Sequence, residues 1–340
     1  MTFTKKMKKI DKKDRKILRQ LDMNARMPIN ELAKKVQVSR EVAEYRIKRL
    51  TKLGIITGAH TVFNVDVIGY RSFRLLLRLF NLKQEDKKKL INYFDKHPNT
   101  WWVASVGGRW DIILNFVAKD SAEFNEIFEE IVTKFGQYLQ DYEVLTYINI
   151  HDYPRKYILE TKSEEKVFFH PMRFKEDVRV DDKDIKIMSI IANDANLSYT
   201  EIGRKTNLTR NAIKHRIKNL EKSELILGYR LAYHPSELGY NSYLLLLNIN
   251  NLKKDRERQL LEFAKVNPNI IFVVKHIGRY RITFECEVEN EKEFHKLLAD
   301  IRDKFNDILT DFDFFPIFYD HKINYFPLSQ LFLKKIESAT

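Results

Sequence analysis

Two basic stretches carry the side chains best suited to chemistry. Residues 38–58 read VSREVAEYRIKRLTKLGIITG, and residues 208–228 read LTRNAIKHRIKNLEKSELILG. In each, a hydroxyl residue placed to cap a helix, Ser39 or Thr209, precedes a run with helical apolar spacing. Val42, Ala43, Ile47 and Leu50 form the expected buried stripe of the first run. That leaves Arg40, Glu41, Glu44, Tyr45, Lys48 and Arg49 outside, facing Arg210, Asn211, Lys214, His215, Lys218 and Asn219 of the second. Arg40, Tyr45, Arg210 and Asn211 lie near the start of each helix, where side chains can hydrogen-bond base edges in a major groove. Lys48, Arg49, Lys214 and Lys218 are placed to neutralise phosphates, which gives affinity without sequence information. Arg46 and Arg216 are expected to brace their helices against neighbours. Glu41 and Glu44 oppose phosphate binding and would weaken the first run.

The formal charge of +13 over 340 residues suits a polyanionic partner. A hydrophobic share of 44% is enough for packed cores. A single Cys excludes a disulfide framework within the chain and a cysteine-based zinc site. No glycine-rich phosphate loop and no His pair at metal spacing occur, so neither catalysis nor a metal or other cofactor is expected. The opening MTFTKKMKKI lacks the apolar run of a secretory signal, and no window reaches the ~18 apolar residues of a membrane span. A cytoplasmic location with no membrane partner is the expectation.

The two stretches belong to a longer repeat with a constant offset of 170 positions. Asp11/Asp181, Asp14/Asp184, Ile17/Ile187, Arg46/Arg216, Gly69/Gly239, Pro98/Pro268, Gly108/Gly278 and Asp141/Asp311 are among its identities. Each copy begins with three short helical segments, the last two separated by a tight turn. That is a helix-turn-helix plan, and Ile55–Gly58 continues it as a small wing. The period then changes. SFRLLLRLF, a helix from Gln84, the strands TWWVASV and DIILNFVA around Gly107–Trp110, a helix over 121–135 and YEVLTYINI give βαββαβ, the ferredoxin-like order. The fold class is therefore α+β: two tandem copies of a winged helix-turn-helix followed by a ferredoxin-like domain. The expected boundaries are 8–60 and 68–150 for the first copy, 151–178 for a linker with a strand-like VFFH patch, 179–230 and 238–321 for the second copy, and 322–340 for a tail ending in the amphipathic LSQLFLKKIES.

The ordered pattern D..D..IL..L..N.R....ELA..V..S...V..RI.RL...GII.G, a Gly-Tyr, and a βαββαβ domain with a G..D hairpin resembles the Lrp/AsnC, or feast/famine, transcription regulators. The resemblance runs nearly the length of the chain, twice. It implies a prokaryotic regulator that binds double-stranded DNA, with two units fused into a covalent pseudo-dimer. It also implies a small effector such as an amino acid bound near the hairpin, at Gly108 and Asp111; the second copy has Arg281 at the Asp position. Trp101, Trp102 and Trp110 could wall such a pocket or fill the core. The linker and tail could pair two fused chains into a homodimer. Two other readings share the pattern: a weakly specific architectural DNA-binding protein, and an enzyme like the siroheme decarboxylases, for which His276 is the candidate acid.

Overall fold

The computed structural model describes residues 8–159 and 166–332. Asp11 caps α1 (Lys12–Met23) in a reciprocal box with Asp14, and Asp181 repeats this with Asp184 at α6 (Asp182–Asn193). α2 (Ile29–Val36) and α7 (Tyr199–Thr206) end in left-handed residues, Gln37 and Asn207, which turn the chain into the next helix. Ser39 and Thr209 then accept the amide hydrogens of Val42 and Ala212 and start α3 (Arg40–Lys52) and α8 (Arg210–Lys222).

The wing strands β1 (Ile56–Phe63) and β7 (Ile226–Tyr233) pair antiparallel with each other, across the two copies. Each three-helix core is therefore finished by the other copy. Leu231, Tyr233 and Leu238 join Ile17, Leu18, Leu32 and Leu50, while Ala59, Phe63, Val65 and Val67 join Ile187, Met188, Ile202 and Ile217. The Ala25 amide donates to the Tyr229 carbonyl at 3.1 Å, and the Ala195 amide to the Ala59 carbonyl at 2.9 Å. Position-2 alternation cannot reveal such a partner, because it specifies a face and not which strand lies alongside.

The back halves are β2 (Arg71–Leu79), α4 (Gln84–Lys96), β3 (Thr100–Val106), β4 (Ile112–Ala118), α5 (Ser121–Phe135) and β5 (Leu139–Asp152), repeated as β8 (Asn241–Ile249), α9 (Lys254–Val266), β9 (Ile270–Ile277), β10 (Ile282–Val288), α10 (Glu291–Phe305) and β11 (Leu309–Ile323). β6 (Phe168–His170), the VFFH patch of the linker, adds to the end of β5. β5 and β11 change partners along their length. Thr146 and the residues before it pair with β2, whereas Thr146–Asp152 pair with β9 of the other copy, Thr146 being shared. β11 does the same with β8 and then β3. The order β2-β4-β3-β11-β8-β10-β9-β5-β6, with the extra β2–β5 pairing, closes all but β6 into a ring. Closure removes the exposed edges that an open sheet would carry. α4 and α5 cover one sheet over Phe73, Phe94 and Phe116, and α9 and α10 the other over Phe263, Phe284 and Phe305. Leu76, Trp102, Trp110, Ile113, Leu145, Leu244, Leu246 and Phe315 fill the space between the sheets. Trp102 and Trp110 are thus core residues, and Trp101 packs beside them.

The junction between heads and barrel differs between the copies. On one side, Arg230 is buried and grips Asp152 at 3.0 and 3.2 Å and the Asp22 carbonyl at 2.9 Å. Arg155 reaches Glu287 at 3.0 Å, and its amide donates to Asp22 at 2.7 Å. The repeat positions on the other side are His60, Lys322, Ala192, Tyr325 and Val117. There His60 stacks on Tyr325 with ring centroids 3.8 Å apart. The tail continues with Phe326 and Leu328, both buried against the second head; the rest of the amphipathic tail segment, past 332, lies outside the described residues.

Burial also sets an acid response. His170 of β6 is buried, and desolvation, with His151 and Arg230 nearby, holds its pKa down to about 3. The unfolded chain takes up that proton near pH 6.5, so native stability falls as pH drops between about 6.5 and 3. His170→Gln should remove one proton from this uptake. Chemical denaturation across that window is expected to give a stability difference between the two proteins that changes by about 1.4 kcal/mol per pH unit.

Candidate nucleic-acid interface

The outward faces of α3 and α8 carry the residues expected at DNA, and the two faces differ. On α8, Arg210, Asn211, Lys214, His215 and Lys218 are exposed. His215 contacts Asn219 at 3.3 Å, one turn on. Among the described residues Arg210, Lys214 and Lys218 make no ion pair, so their charges face solvent. On α3 most cations are engaged. Arg40 binds Glu44 at 2.8 Å, which raises the Arg40 pKa first through that hydrogen bond. Arg49, expected at a phosphate, instead donates to Asp14 on α1, whose side chain is fully buried. Its guanidinium is turned toward the head's own carboxylate rather than outward. Lys48 remains exposed, as does Tyr45.

Ser39 and Thr209 are exposed, but their hydroxyl oxygens are used as caps. Val42, expected in the buried stripe, is 39% exposed. The stripe runs through Ala43, Ile47 and Leu50, and Val42 lies one residue outside it on the flank. Arg46 and Arg216 act inside their heads. Arg46 donates to Asp11 at 2.7 Å and Asp14 at 2.9 Å, and Arg216 to Asp181 at 2.9 Å and Asp184 at 2.8 Å. These pairs fasten the third helix of each head to the first. Arg46→Ala is expected to lower stability by about 1.5–3 kcal/mol, the range for hydrogen bonds to charged groups, with the preferred DNA sequence unchanged. Denaturant titration together with a binding-site selection checks both halves of that statement.

The hairpin residues also have roles within the fold. Gly108 has φ +102, and a Cβ there would stand 3.1 Å from the Phe315 ring of the other copy. Gly278 has φ +139, and a Cβ there would stand 2.5 Å from Leu145. Both glycines let one copy's hairpin close against the partner sheet. Asp111 accepts the Leu79 amide hydrogen at 2.7 Å and so holds the end of β2. That bond uses one oxygen of the carboxylate. Gly108 and Asp111 thus help to seat the hairpin.

Comparisons with known proteins agree with the doubled architecture. The winged helix-turn-helix DNA-binding family model matches residues 10–57 and again 180–226. An uncharacterised HTH-type transcriptional regulator of Pyrococcus abyssi is 32% identical over 124 residues, covering 35% of this chain and 79% of the relative. The HTH-type transcriptional regulator LrpA of Pyrococcus horikoshii is 36% identical over 94 residues, covering 28% of this chain and 63% of the relative. The chain belongs to the Lrp/AsnC family.

Within that family it carries two tandem units in one chain. The siroheme decarboxylase NirDL has the same fold along 96% of this chain and 99% of its own, with a TM-score of 0.62 and 11% identity. That likeness concerns the fold alone. In this Lrp/AsnC chain the strand histidine His276 is fully buried, with Nε2 3.0 Å from Thr283 Oγ1 and its ring edge-on to Tyr147. Desolvation pushes its pKa well below the usual imidazole value, so it stays neutral. Cys286 is likewise buried in the second sheet. No helix of the described residues is long and apolar enough to cross a membrane.

Proposed function

We propose that the protein is a sequence-specific transcription regulator that grips double-stranded DNA with α3 and α8 of one chain. The observation that carries this is the pair of capped third helices, each with an exposed polar face, in two heads joined by the β1–β7 ribbon. A linked pair of such heads suits two contacts one helical turn, about 34 Å, or its multiples apart. The heads are unequal. α8 supplies Arg210 and Asn211 for base edges and Lys214 and Lys218 for phosphates, with His215 beside them. α3 supplies Tyr45 and Lys48, while Arg40 is shared with Glu44. A non-palindromic operator follows from that difference.

Selection of genomic fragments by the purified protein, then footprinting at physiological salt, tests this. The expected result is a discrete site with two unequal contacts. Two equivalent half-sites would overturn the asymmetric operator. Uniform, salt-sensitive coating would point to an architectural DNA-binding protein, and no binding at all would return attention to the enzyme reading. The proposal extends to a small effector such as an amino acid and to a homodimer of the fused chain. Thermal shifts with each amino acid and light scattering test these two, and a mass of one chain would refute the homodimer.

A further inference from the structure

Most of α3 is accounted for by contacts inside its head. Ala43 and Leu50 are buried, Arg46 and Arg49 are tied to α1, and Arg40 is held by Glu44. Two apolar side chains are not accounted for. Val42 is 39% exposed and Tyr45 67% exposed, although each could lower its free energy by leaving water. They stand three residues apart, so they are neighbours on one helical face. The cap at Ser39 places both within the first two turns, the end of a recognition helix that meets base edges. The matching positions on α8 hold Ala212 and His215, a smaller and more polar pair.

Resting on the DNA-binding reading above, we propose that Val42 and Tyr45 form an apolar contact for the 5-methyl groups of thymine, and that α3 takes much of its specificity from this contact. The thymine methyl is the apolar feature that the major-groove edges of the bases present. A helix whose arginines are engaged and whose outer face carries Glu41 is poorly equipped for the arginine–guanine contact. It is well equipped to bury a methyl group. α8, with free Arg210, Asn211 and Lys214, reads by hydrogen bonds instead. The two heads thus differ in the kind of recognition and not only in its strength.

The test uses the whole protein and the fragment it selects best. Each thymine of the site is replaced in turn by deoxyuridine, which removes the methyl and leaves the hydrogen-bonding edge intact. Binding should weaken about fourfold for each methyl that Val42 and Tyr45 cover, and these positions should cluster in one half-site. The double variant V42A/Y45A should bind the unmodified site less tightly and lose its sensitivity to those same replacements. Both side chains are exposed, so the variant's thermal transition should match that of the wild type. Deoxyuridine replacements that leave binding unchanged throughout both half-sites would overturn the proposal while a clear footprint kept the DNA-binding reading intact. A selected site with no thymine in either half would also overturn it. So would uridine losses that persist undiminished in V42A/Y45A. A protein that selects and protects no fragment would remove both the proposal and the reading beneath it.

Discussion

Arg230→Met should destabilise the protein by about 3–5 kcal/mol, the usual consequence of leaving one partner of a buried ion pair without the other. Arg230 and Asp152 are both almost completely enclosed, with side-chain exposures of 2% and 5%. In the native junction the guanidinium spans Asp152, the Asp22 carbonyl and the Lys166 carbonyl, so a methionine of similar reach fills space but satisfies none of them. Burial already raises the Asp152 pKa, and Arg230 opposes that rise. Without Arg230 the carboxyl should titrate higher still. A carboxyl whose folded pKa exceeds its unfolded value binds its proton more tightly in the native state, so the loss should grow as pH rises above about 4 and ease below it. Adding Asp152→Asn should recover part of the stability and flatten that dependence. Denaturant titrations of the three proteins at several pH values would measure both effects. An Arg230→Met variant as stable as the wild type would show that the junction is held by its apolar neighbours alone.

The second large effect concerns α8. Arg210→Ala, Asn211→Ala and Lys214→Ala combined should weaken binding to the preferred site by roughly 30-fold or more. Two base-reading side chains contribute about 1–3 kcal/mol each, and loss of one phosphate contact should lower the salt slope by about 0.9. Arg40→Ala on α3 should cost less than the α8 change, because the Glu44 carboxylate 2.8 Å away offsets the charge that Arg40 presents to a phosphate. Salt-dependent binding isotherms for both variants check the contrast. Equal losses from the two helices would show that the pairing seen on α3 opens when DNA arrives.

Local signals in the sequence were sufficient for the elements. Ser39 and Thr209 announce their helices through capping chemistry, and the change from helical to alternating spacing after each head marks the sheet. The doubled pattern carried the architecture because every element was stated twice at one offset. What stayed out of reach depends on partners distant in the chain. Alternation along Ile56–Phe63 gives a strand but does not say that it pairs with Ile226–Tyr233. A long strand such as β5 gives no sign that it exchanges β2 for β9 at Thr146. Arg49 reads as a surface cation until Asp14, 35 positions earlier, is brought beneath it. The bond from the Leu79 amide to Asp111, at 2.7 Å, joins residues 32 positions apart, which no local pattern announces. Val42 failed for a geometric reason: the apolar stripe of α3 is narrow, and a residue one step off it already faces outward.

The ring of strands that crosses from one copy to the other has a consequence for gene dosage. A regulator built from two separate subunits loses its paired heads on dilution, so its active fraction depends on how much protein the cell contains. Here each head is supplied with its partner at synthesis, and the crossed strands β5 and β11 hold the two together. The supply of paired heads should therefore rise in simple proportion to the number of chains made, down to a few molecules per cell. A gene controlled by such a protein can be held by a scarce regulator that a dissociating pair could not replace.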